Sequence, residues 1–99
     1  MDVNKEIHQA VGSGKVILGS EKSVKVVKLG QAKLVVLASN CPETVRVDIM
    51  HYAKLANVPV HNYAGDATAL GLACGKPFPV GVMAVVDPGS SGILSIRGS

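Results

Sequence analysis

Three short segments of this chain carry residue types suited to holding an anion and a flat ring. Gly19-Ser20-Glu21-Lys22 offers bare backbone, the start of a helix and a lysine. Ser39-Asn40-Cys41-Pro42 offers an amide side chain just ahead of another helix start. Pro77-Phe78-Pro79-Val80-Gly81 holds the only phenylalanine, between two prolines. Helix N-termini bind phosphate through free N–H groups and a favourable dipole. An aromatic ring on a stiff loop is a surface for an unstacked base. Lys25 and Lys28 extend the positive charge along the helix that Ser20 opens. The chemistry these segments would do together is recognition of a folded nucleic acid.

Each residue also has a simpler reading. Asn40 has the side chain of a helix cap. Phe78 can serve as loop packing, and a lysine stripe is ordinarily a helix's solvated face. Gly19 and Gly81 can be needed only for backbone conformation. Convergence of the three segments at one place separates the two readings, and convergence depends on the fold.

The elements that must position them follow from hydrophobic spacing. Val3, Ile7, Ala10 and Val11 lie on one helical face that Gly12-Ser13-Gly14 ends. Lys15 to Leu18 reads as a strand. Ser20 is placed to cap a helix reaching about Leu29, with Gly30 in the left-handed position after it. Lys33 to Ala38 has no polar interruption after its first residue, as a strand covered on both faces requires. Asn40 with Pro42 opens a third helix, whose stripe is Val45, Ile49, Tyr52, Ala53 and Ala56. Val58 to His61 contains Pro59 and so reads as an edge strand. Asp66 or Thr68 caps a short helix that stops at Gly75. Val80 to Val86 is a further strand, Asp87-Pro88-Gly89-Ser90 a turn, and Ile93 to Ile96 a last strand forming a hairpin with it.

Strands alternating with helices imply crossover connections. The expected fold is α/β: a three-layer α/β/α sandwich around a four- to five-stranded mixed sheet, with residues 1–99 as one domain. In such sheets ligands meet the loops at the carboxyl ends of the strands. The loops after the first two strands are the first two segments above. The third joins them if the Val80 strand runs antiparallel.

Charge agrees with that placement. The chain has a net charge of +3. Residues 1–33 hold six lysines against three acids, and the remainder is balanced. A concentrated source of this kind suits a polyanion-binding face.

Other chemistries find little support. The chain is 47% hydrophobic and has a mean hydropathy of +0.34, yet its longest apolar runs fall far short of the roughly 18–20 residues of a membrane helix. The apolar content is instead cut into short pieces rich in its 16 valines, as buried strands are. Gly12-Ser13-Gly14-Lys15 lacks the spacing of a phosphate loop. His8, His51 and His61 with Cys41 and Cys74 lack metal-ligand spacing, so neither a metal nor another cofactor is expected. No nucleophile elbow is present, and no enzyme is expected. The first residues lack a leader's apolar region, and both cysteines read as reduced thiols of an intracellular protein.

At these loops the chain resembles a known family. The residues that carry the resemblance are Ser13-Gly14-Lys15, Leu18-Gly19 with the helix start after it, and Lys33-Leu34-Val35-Val36-Leu37-Ala38 with Asn40 and Pro42. Further matches are Tyr52-Ala53-Lys54-Leu55, Leu70-Gly71, Gly75-Lys76 with Phe78, and Val80-Gly81-Val82. In this order they are similar to the ribosomal protein L-thirty-e family of archaea and eukaryotes, part of the kink-turn RNA-binding superfamily that includes L-seven-A-e. The resemblance covers essentially the whole chain.

That resemblance implies the same sandwich. It also implies a large-subunit ribosomal protein of the cytoplasm, monomeric when free. The implied ligand is an asymmetric internal loop of rRNA where the backbone kinks between two stems. Some members also bind their own mRNA. Carried onto this chain, Gly19 lets backbone approach RNA closely, and Ser20, Glu21 and Lys22 head the contacting helix. Lys25 and Lys28 meet phosphate. Asn40 matches the amide that contacts kinked nucleotides, and Phe78 matches an aromatic that packs on a base, with Gly81 beside it. Arg46 stands one step from an arginine of the eukaryotic relatives. The chain departs from the wider superfamily where Ser20-Glu21-Lys22 replaces an Asn-Glu pair, and Glu21 stands where close relatives commonly have a basic residue. The alternative use of this sandwich is as a protein–protein adaptor. Such adaptors tend to be acidic, and the first third of this chain is basic.

Overall fold

The structure is a computed structural model, and it describes residues 2–96. Helix α1 (Val3–Ser13) leads into β1 (Lys15–Leu18), α2 (Ser20–Lys28), β2 (Leu34–Leu37) and α3 (Glu43–Ala56). Then come β3 (Val60–Asn62), α4 (Ala67–Ala73), β4 (Val82–Asp87) and a 3-10 turn at Ile93–Ile96. The sheet order is β1-β4-β2-β3. Strand β4 runs antiparallel to both β1 and β2, and β3 runs parallel to β2. The three-layer sandwich and mixed sheet expected from the sequence are present, with four strands.

The layers follow from side-chain alternation along the strands. Leu34, Val36, Met83 and Val85 face one way, against Ile7 and Ala10 of α1, Leu70 of α4 and Ile93. Val35, Leu37, Val82 and Ala84 face the other way, against Val27 of α2 and Ile49 and Ala53 of α3. All of β2 is fully buried, as its unbroken apolar run requires. Among the described residues no helix is long and apolar enough to cross a membrane.

Several local expectations are corrected. Ile93–Ile96 is a 3-10 turn and not a strand. Both edges of β4 are already taken by β1 and β2, so no hairpin partner fits beside it. The chain is drawn off the sheet instead. Gly92 N–H donates to Glu6 Oε1 at 2.6 Å, and Ser91 Oγ donates to the Glu6 carbonyl at 2.6 Å.

The second correction concerns α2. Its cap is Gly19, and Ser20 is the first helical residue, making no capping bond. The third concerns β4, which starts at Val82, because the Val80 N–H is spent on the Ala67 carbonyl. In the fourth, Pro42 occupies the cap of α3 in place of Asn40, which is turned to a different helix. Strand β3 lies at the sheet edge as expected, but it runs Val60–Asn62 in place of Val58 to His61, so Pro59 precedes the strand.

Candidate nucleic-acid interface

Antiparallel β4 settles the convergence. Its start lies beside the ends of β1 and β2, with Leu18 opposite Met83 and Leu37 opposite Val82. The bonding continues one step past the strands. Gly19 N–H donates to the Val82 carbonyl at 3.0 Å, and Ala38 N–H donates to the Gly81 carbonyl at 2.9 Å. The three predicted segments therefore meet on a shared backbone frame.

Gly19 has φ +112 and ψ 152, a conformation that side chains rarely adopt. Nothing lies within 4 Å of where its Cβ would be. The backbone is thus strained toward open space and not packed against the protein, which is what close approach of a ligand needs. Gly81 likewise has open space beside it.

Asn40 is exposed, and its Oδ1 accepts from Ala67 N–H at 2.8 Å. Asp66 Oδ1 accepts from Ala69 N–H at 2.9 Å, so two side chains share the cap of α4. Ala67 is a junction. Its N–H holds Asn40, and its carbonyl takes the Val80 N–H at 2.9 Å. One turn on, Gly71 lies against the Phe78 carbonyl, where a Cβ would collide. The proline-flanked loop is fixed to α4 at both points, and the Phe78 ring stays 51% exposed.

Arg46 is half-buried and faces inward. Its guanidinium donates to Asn62 Oδ1 at 2.7 Å and to the Ala38 carbonyl at 3.1 Å. It braces the carboxyl ends of β2 and β3, directly behind the Asn40 loop. Cys41 is buried beside it. Burial raises the thiol pKa, Arg46 pulls it down and Glu43 adds to the rise, so the group stays protonated and unreactive near neutral pH.

Glu21, Lys22 and Lys25 are exposed on the first two turns of α2. A carboxylate in the first turn favours the helix itself, through its dipole. Lys28 is not gathered with them. It lies about 12 Å along the axis from Ser20 at 1.5 Å per residue. There its Nζ sits 4.6 Å from the centre of the Tyr52 ring. Sequence reasoning missed Ala67 and Gly71 as supports of the site. Their i, i+4 spacing of small residues was the available signal. Among the described residues no group of three or more His, Cys, Asp or Glu could hold a metal ion.

A sandwich with glycine backbone, an amide and an aromatic ring at the strand ends defines a class of compact α/β proteins with a platform-like site. Residues 1–95 match the family described as the Ribosomal protein L7Ae/L30e/S12e/Gadd45 family, and the chain belongs to it. It is 49% identical over 98 residues to the Large ribosomal subunit protein eL30 of Methanothermobacter thermautotrophicus, covering 99% of this chain and 100% of that protein. It is 51% identical over 96 residues to the protein of the same name from Methanocaldococcus jannaschii, covering 97% and 87%. A solved structure of a protein of unknown function from Bacillus halodurans matches with a TM-score of 0.83 and 28% identity, covering 95% of this chain and 93% of that one.

Proposed function

We propose that this protein is a structural constituent of the large ribosomal subunit, acting in the cytoplasm on the ribosome. We further propose that it binds a kink-turn in rRNA through the strand-end face. The family and the names of its relatives support the ribosomal role. The observation that carries the RNA reading is the frame itself. Gly19, Asn40, Phe78 and Gly81 come from three segments, yet backbone bonds and the Ala67 junction hold them together.

In this reading Lys22 and Lys25 meet phosphate, and Gly19 and Gly81 let the sugar-phosphate chain come close. Phe78 receives an unstacked base, and Asn40 contacts a kinked nucleotide. Arg46 acts by bracing the loop. No step of this function is catalytic. The protein's own transcript is a second RNA that would fit if it presents the same kinked loop.

The test is a titration against a short kink-turn RNA and a plain duplex of equal length, at two salt concentrations. Both affinities should fall with salt, and the gap between the two RNAs should persist. Equal affinity for both RNAs would sink the kink-turn reading.

A further inference from the structure

The two edges of the sheet are finished differently. At the β1 edge Lys15 is exposed, and the register shifts between Lys15 and Val16. A charge and a bulge are common devices that stop an edge from pairing further. The β3 edge has neither. Its residues are Val60, His61 and Asn62, in unbroken register with β2.

The parallel ladder decides which backbone groups look outward. Val35 N–H donates to the Pro59 carbonyl at 3.1 Å, and Tyr63 N–H donates to the Leu37 carbonyl at 2.8 Å. Alternation between these bonds turns the backbone of Pro59, His61 and Tyr63 toward β2, and that of Val60 and Asn62 away from it. The N–H that Pro59 lacks is thus on the inner side. The outer side keeps the donors and acceptors of Val60 and Asn62, and among the described residues none of these has a protein partner.

Beside this edge, on the α3 side of the sheet, lies a groove of about 500 Å³ lined by Met50, His51, Ala53, Lys54, Val58 and Val60. It continues past Lys54 to Asn57 and Pro59. Met50 is 48% exposed there, and no acid lines the groove among the described residues. Asn62 Oδ1 accepts from Arg46 at 2.7 Å, which pins the end of the strand to α3.

We propose that the β3 edge takes up an extended, acidic segment of another protein as an added antiparallel strand. Strand addition draws affinity from main-chain bonds and specificity from alternate side chains. Antiparallel pairing is the more stable of the two arrangements per residue. The residues opposite Val60 and Asn62 each exchange a pair of bonds with the edge, and their side chains lie on the α3 side, as that of Val60 does. The residue opposite Val60 enters the groove and is apolar. The residue two further along lies beside Lys54 and is acidic. Charge argues against a second copy of this chain as the occupant. Two copies, each with net charge +3 and a lysine in the groove, would meet like to like. The proposal does not depend on the RNA reading, because it uses the side of β3 and not the strand ends.

The probe is a capped peptide, Ser-Thr-Ser-Val-Ser-Glu-Ser, titrated to several millimolar into the isotope-labelled full chain and followed by NMR. The amide signals of Val60 and Asn62 should move downfield and exchange more slowly with solvent, while those of β1 stay in place. Methylating the peptide nitrogens of threonine and valine, which face the edge, should weaken binding about tenfold or more. Methylating the serine nitrogens between them, which face away, should not. Lys54→Glu should weaken binding about twofold to fivefold, and a peptide with lysine in place of glutamate should restore it. That rescue also shows that the variant is folded. Undiminished binding after methylation of threonine and valine overturns the proposal, as do shifts at another surface or no binding at all. A concentration-dependent dimer abolished by Val60→Pro, which removes an outward donor, overturns it in favour of a second copy.

Discussion

Helices α2 and α3 lie side by side, and their two ends are built differently. At the head, where both helices start, sit Gly19, the Asn40 loop and the start of β4, cross-linked by backbone hydrogen bonds. At the tail sit Leu29, 61% exposed, Leu55, 71% exposed, and Lys28 over the Tyr52 ring. Both ends carry lysine. Both also have a positive-φ glycine with open space beside it, Gly19 at the head and Gly30 at the tail, but of the two only the head has an amide bonded to a further helix and an aromatic ring on a tethered loop. Positive charge and open glycine backbone therefore do not by themselves tell the two ends apart. The bonded amide and the tethered ring distinguish the head, and under the proposed function the charge would add a term that salt can screen.

The sharpest way to break this comparison is to change a left-handed glycine at each end. Gly19→Val should cost about 1–3 kcal/mol of stability through backbone strain, read by denaturant unfolding. It should also abolish kink-turn discrimination. Gly30→Ala, at φ +70 beyond the tail of α2, should cost about 1–2 kcal/mol in the same assay and leave RNA affinity unchanged.

A smaller effect separates the exposed apolar side chains. Phe78→Ala should lose about 1–3 kcal/mol of kink-turn binding by titration, the range for one stacked base. Leu55→Ala should lose none. The reverse ranking would move the site to the tail.

The smallest expected difference lies between two lysines one turn apart. Lys25→Ala should lower the salt slope of RNA binding by about 1. Lys28→Ala should leave that slope alone and cost about 0.5–1 kcal/mol of stability, from the lost contact with Tyr52. Equal salt slopes for the two variants would show phosphate reaching the tail.

Most of the sandwich is readable from local pattern, because its elements are short, periodic and punctuated. Leu34–Leu37 reads as a doubly covered strand and is one, and Gly30 follows the end of α2 with positive φ as its type suggests. The misplacements share one cause. Ile93–Ile96 has the apolar content of a strand, but strand pairing depends on which edges are free, and β4 has none. Asn40 has the chemistry of a cap and is one. Its helix lies 27 residues downstream and not immediately after it.

The candidate site shows the same division. Its members Gly19, Asn40, Phe78 and Gly81 are marked by type and by position at strand ends. Arg46 enters from the sequence only through the resemblance, and its pairing with Asn62 and the Ala38 carbonyl appears only once β3 is laid beside β2. Lys28 belongs to a lysine stripe in the sequence, and the length of α2 removes it from the head.

The contact between Glu6 and Gly92 joins segments 86 residues apart and closes nearly the whole described chain into a ring. That seam lies in the α1 layer, across the sheet from the lysine-bearing helix. The entropy of closing a ring rises only with the logarithm of its length, so a seam this distant costs little more than a nearer one. Every loop of the strand-end face lies within that ring, held at both ends by its own flanking elements. Under the proposed function, loop freedom already lost in folding would not be lost again on meeting RNA, which would lower the entropic penalty of binding.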